Sequence, residues 1–235
     1  MKKRKGFDMK KRLGRSIFIF ALTLLSPAWL YGEEFVFRNT LSDADWTVLE
    51  RAEGPVSVCA ALTDVDDEDM KRFATLRTLE ELDVSYCGIT ETGLEALKTL
   101  PNLKTLWCLY CKKLPPEAVR TIAEMKNLEK LIFFCWFTHE FTENELRHLG
   151  KLPKLRFLAL NNCSASLETL ENLLPMDRLK KLDLMDYKQK VTPSEVEKFK
   201  SRWPECDIFV DYPEKFKKYK NTKTQEHQKV LEEGV

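Results

Sequence analysis

Histidine and glycine, which build many active sites, are scarce here: the 235-residue chain has 3 of the first and 8 of the second. No glycine-rich phosphate loop is present, and no nucleophile elbow. His139 falls in an irregular loop, His148 lies between Leu146 and Leu149 on an expected helix, and His227 lies near the end of the chain. None is paired in sequence with a nucleophile or a ligand set. The acidic run "DVDDEDM" (64–70) lacks the glycine and the closing glutamate of a calcium-binding helix–loop–helix. It reads as a helix start, where carboxylates suit the positive end of the helix dipole. The chain is therefore expected to be no enzyme, with no catalytic residues, no cofactor and no metal.

Metal spacing is also missing among the 7 cysteines, because Cys108-x2-Cys111 has no second close pair beside it. An odd total leaves at least one thiol unpaired within a monomer. Mostly reduced, buried thiols are expected; a Cys87–Cys111 bridge stays open if the geometry allows it. Cys135 is expected to be the most accessible thiol.

Net charge is nearly absent, at +1, but unevenly distributed. Residues 1–32 hold eight Lys/Arg and one Asp, so their removal leaves 30 basic and 36 acidic residues, a net −6. "MKKRKGFDMKKRLGR" followed by "SIFIFALTLLSPAWLYG" (16–32) reads as an export signal, cleaved after Gly32. An uncleaved membrane anchor and another targeting role are the alternatives, although the apolar run is short for a bilayer. The mature protein is expected to be secreted or periplasmic, contacting membrane only through an uncleaved N-terminus. No later segment is long and apolar enough to span.

What the chain does have is a repeat. Apolar residues at offsets 0, 3 and 5, with a further residue at offset 8, recur as Leu79/Leu82/Val84/Cys87, Leu103/Leu106/Cys108/Cys111 and Leu128/Leu131/Phe133/Trp136. Leu155/Leu158/Leu160/Cys163 and Leu179/Leu182/Leu184/Tyr187 follow, at spacings of 24, 25, 27 and 24 residues. After each strand-like run the period changes to that of a helix, as at Leu94/Leu97/Leu100, Val119/Ile122/Met125 and Leu146/Leu149/Leu152. Thr90, Thr142 and Thr192 stand as N-caps, and Pro115 and Pro193 suit first turns. Weaker copies flank the run: Val58 to Leu76, a helical half with Trp46 and Leu49 inward, and a last strand at 206–212 with Ile208 and Val210 inward.

Residues 79–100, "LEELDVSYCGITETGLEALKTL", resemble the leucine-rich repeat family, in its cysteine-containing subclass. The resemblance covers about residues 40–212. It implies an α/β curved solenoid, with a parallel sheet on the concave face, short helices on the convex face, and atypical terminal caps. It also implies a non-catalytic protein-binding module holding its partner on the concave face. Trp136 and Tyr187 depart from the small closing residue of the pattern, and the unit at 128–154 is lengthened around "FTHEFTEN". The domains are then 1–32 (signal or anchor), 33–212 (solenoid) and 213–235 (tail).

Offsets 4, 6 and 7 are expected to face out, and in the middle units they are unusually apolar. Tyr86, Trp107, Leu109, Tyr110, Ile132, Phe134 and Asn161 form the expected protein-binding site. The alternatives are a cover by the chain's own termini, self-association, or a register slipped by one residue. An envelope structural or assembly component is the competing function. The tail carries six lysines between 215 and 229, with Phe216 and Tyr219 among them. It reads as a solvated extension or capping helix, or as a segment in contact with the acidic body. Nucleic acid is not an expected partner.

Overall fold

The computed structural model describes residues 32–136, 139–186 and 191–211. The expected export segment up to residue 31, Tyr187, Tyr212 and the lysine-rich tail lie outside the described residues, as do two residues of the lengthened unit.

Each strand-like run forms a strand: β1 (Glu33–Val36), β2 (Val56–Cys59), β3 (Leu79–Asp83), β4 (Thr105–Leu109), β5 (Lys130–Phe134), β6 (Phe157–Asn161), β7 (Lys181–Met185) and β8 (Asp207–Asp211). They pair in parallel, in sequence order, as one eight-stranded sheet. Between them run α1 (Asp43–Glu50), α2 (Asp67–Phe73), α3 (Glu91–Leu97), α4 (Val119–Ile122, after a 3-10 turn at Pro116–Ala118), α5 (Glu143–Leu149), α6 (Leu167–Leu173) and α7 (Pro193–Arg202). Parallel crossovers are right-handed. When the strand order always advances the same way, that handedness puts every helix on the same face of the sheet.

The core is the repeat read sideways. Leu82, Leu106, Leu131, Leu158, Leu182 and Ile208 stand in register across six strands, all buried. Helix starts are capped as the sequence indicates: Thr90, Thr142 and Thr192 are N-caps, and the last two close full capping boxes with Glu145 and Glu195. Asp66 caps α2 in the same way, so the acidic run is indeed a helix start. Trp46 and Leu49 face the core from α1.

The cysteines at offset 8 have a specific task. Cys87 Sγ donates to the Ala60 carbonyl and Cys111 Sγ to the Val84 carbonyl, each at 3.2 Å and each 27 residues back. A thiol is small enough to sit in the bend and add a second donor to a carbonyl of the preceding unit, beside the Thr63 hydroxyl on Ala60 and the Cys87 N–H on Val84. All 7 cysteines are free thiols.

Several expectations are corrected. The sheet is one continuous layer that is not strongly curled, so the leucine-rich-repeat horseshoe, the solenoid architecture and its concave cradle are not what the chain forms. Stacked units bend sharply when their helices, about 8–10 Å apart, outgrow strands about 4.8 Å apart at every step. Here the helical layer is uneven: in the fourth unit it shrinks to a 3-10 turn and four α-helical residues. Pro115 is the N-cap residue of that turn, and Pro116 takes the first-turn position. Strand β1 was not expected from the sequence. Cys135 is fully buried rather than the most accessible thiol. Offset 7 is a bend, not a strand position: Leu62, Tyr86, Tyr110 and Asn162 occupy it with φ of 63°, 63°, 52° and 49°.

Candidate functional site on the open sheet face

Because the helices share one side, no helix among the described residues lies on the other face of the sheet. Outward residues stand there in rows that follow the strand register. One row runs Glu81, Thr105, Lys130, Phe157, Lys181, Asp207; the next runs Asp83, Trp107, Ile132, Ala159, Asp183, Phe209. A third pairs Leu109 with Phe134, and Asn161 with Met185 and Asp211.

Cations and rings alternate at the centre. The Lys130 ammonium lies 4.9 Å from the Trp107 ring centre and 5.0 Å from that of Phe157. Lys181 lies 5.3 Å from the Phe157 ring and 3.2 Å from Asp183 Oδ2. Ammonium groups over ring faces are held by the ring quadrupole. Burial draws the Lys130 pKa down, against the pull of Glu81. Burial also raises Asp183, opposed by Lys181, and raises Asp83, opposed by hydrogen bonding from Ser85. Asp183 Oδ1 is buried and has no hydrogen-bond partner among the described residues.

An aromatic cluster lies at the strand ends. Tyr110 packs against Tyr86 at 5.5 Å, Phe134 at 5.8 Å and Trp136 at 6.3 Å between ring centres. Its hydroxyl donates to Met185 Sδ at 3.6 Å, so the two side chains together link the ends of β4 and β7. Lys112 lies 5.4 Å from the Trp136 ring.

The expected site residues divide accordingly. Tyr86, Trp107, Leu109, Tyr110 and Phe134 share this face and are half-buried. Ile132 is on it too, but only 4 % exposed. Asn161 is a brace: β5–β6 pairing ends at Phe133 and Leu160, and the Asn161 side chain takes over. Its Oδ1 accepts the Cys135 N–H at 2.8 Å, and its Nδ2 donates to the Cys135 carbonyl at 2.9 Å. Lys130, Phe157, Lys181 and Asp207 were missed. The signal was available, since strand alternation puts offset 2 on the same face as offsets 4 and 6.

Among the described residues, no group of three or more His, Cys, Asp or Glu is placed to hold a metal ion. No helix among them is long and apolar enough to cross a membrane. No protein-family model matches the chain, and no curated protein matches it. The leucine-rich-repeat resemblance therefore has no family match behind it. The protein-binding function it implied, on a concave cradle, falls with the horseshoe, and nothing supports the envelope-assembly alternative.

Proposed function

We propose that the chain is a non-catalytic recognition protein whose partner is another protein, engaged through a basic segment bearing aromatic residues that lies along the open, uncradled face of the sheet. The observation that carries the reading is Asp183: a buried carboxylate oxygen without a hydrogen-bond partner among the described residues, beside a row of rings. Such an oxygen is costly unless a donor reaches it. The charge of the face points the same way. Outward strand positions hold Glu34, Glu81, Asp83, Asp183, Asp207 and Asp211, against Lys130 and Lys181. Flat rings accept apolar and cationic groups alike. The thiols favour no nucleophilic role, because burial raises Cys108, Cys111 and Cys135 far from the range where a thiolate forms.

We read residues 1–32 as an export segment, which would place this encounter outside the cytoplasm; sequencing the N-terminus of the mature protein tests that. Binding is tested with two labelled peptides of equal length, one of alternating lysine and tyrosine and one of alternating glutamate and tyrosine. The basic peptide is expected to bind, more weakly as salt rises, and about tenfold more weakly to Asp183→Asn or Trp107→Ala chains that remain folded. Equal binding of both peptides, or binding of neither even after Lys217, Lys218 and Lys220 are changed to glutamate, overturns the reading.

A further inference from the structure

We infer that the chain carries its own occupant for the open face: the lysine-rich segment 213–235, which docks there and competes with the external partner. The inference rests on the recognition reading above, and adds regulation to it.

Position comes first. Strand β8 ends at Asp211, in register with Met185, the residue that receives the Tyr110 hydroxyl. The sequence thus leaves the sheet at the aromatic end of the face and continues for 24 residues, from 212 to 235. From β8 to β3 is five strand steps, about 24 Å. At about 3.3 Å per extended residue, roughly eight residues cover that distance, so the segment is long enough to cross and to leave again.

Chemistry comes second. "KFKKYKNTK" (215–223) holds five lysines, no acid, and two rings, Phe216 and Tyr219. It is a basic, aromatic-bearing segment of the class proposed for the partner. The outward strand positions carry six carboxylates and two lysines. A lysine ammonium supplies the donor that Asp183 Oδ1 lacks among the described residues.

A tethered segment acts at an effective concentration in the millimolar range. An external partner of ordinary affinity then gains access only by displacing it, so the segment sets a threshold for binding.

The test uses a labelled peptide of residues 213–235 and three proteins: the full chain, a full chain with Lys217→Glu, Lys218→Glu and Lys220→Glu, and that variant with Asp183→Asn added. The peptide is expected to bind the charge-reversed chain at least tenfold more tightly than the unaltered chain, and Asp183→Asn is expected to remove most of that gain. Equal affinity for the first two chains overturns the inference. So does failure of this peptide on the charge-reversed chain when the lysine–tyrosine peptide binds it, an outcome that leaves the recognition reading standing. Failure of both peptides on every chain overturns both. A concentration-dependent dimer in sedimentation, lost on charge reversal, assigns the segment to a second copy and overturns the intramolecular form.

Discussion

Asn161 and Gly150 show how far a single residue's task can lie from its expected one. Asn161 looks like an exposed hydrogen-bonding group at the edge of an apolar patch, yet it replaces one rung of the sheet by holding both backbone groups of Cys135. Removing it leaves a buried N–H and C=O unmet, so Asn161→Ala is expected to destabilise the fold by about 1–3 kcal/mol in urea unfolding. At Gly150 a Cβ would stand 2.3 Å from the Leu173 carbonyl oxygen, whereas at Gly88 the nearest contact would be 3.7 Å, to the Val65 carbonyl. Gly150→Ala is expected to cost about 1–3 kcal/mol by overpacking against backbone. Gly88→Ala is expected to stay within about 0.5 kcal/mol. The thiols give a third check. Burial pushes Cys111 and Cys163 up to about 12, and Cys59 and Cys206 to about 11. At pH 8 native protein should react slowly with a disulfide reagent at all 7 cysteines, and denatured protein rapidly. A fast native reaction at Cys135 would contradict its burial.

At the scale of elements, the strand–helix alternation was legible because two periods are written into the chain, 2 over the strands and 3.6 over the helices. Caps were legible for the same local reason. Thr142 accepts the Asn144 N–H at 3.3 Å, while Glu145 receives both the N–H and the hydroxyl of Thr142. Thr142→Ala is expected to lower stability by about 1 kcal/mol, read as a shift in the urea midpoint. Strand β1 was not legible: its burial pattern is exposed at three of four residues. Only its pairing with β2, from Glu33–Val56 to Val36–Cys59, makes it a strand. The outward row at offset 2 was missed for a different reason. Lys130, Phe157 and Lys181 read individually as ordinary surface residues, and only the register brings one ammonium between two rings.

At the scale of the whole molecule, the units pair and pack with their sequence neighbours, and the two edges are unlike the middle. β1 is a short edge with Glu33 and Glu34, and β8 carries Asp207 and Asp211; charges of this kind discourage further strand addition. Amide exchange is expected to be slowest in β4 to β6 and fastest in β1. The charge of the face sets a pH dependence. Asp83 and Asp183 are raised above 3.8 by burial, so they take up protons before ordinary carboxylates do as pH falls, while ligand lysines stay charged. Affinity for a basic peptide should therefore begin to fall at a pH above 3.8, and Asp183→Asn should flatten that fall in a titration series.

The sequence by itself determined the number of central units, the inward residues of β2 to β8, the N-caps of α3, α5 and α7, and the cysteines of the bend. All of these follow from spacing along one chain. The tertiary structure decided the shape of the layer, the bend at offset 7, the buried duty of Asn161 and the meeting of Lys130 with Trp107 and Phe157. Those depend on how much room each helix takes and on which residues of different units come into register. A one-dimensional period carries neither: it repeats the core, and leaves the outward positions to vary from unit to unit.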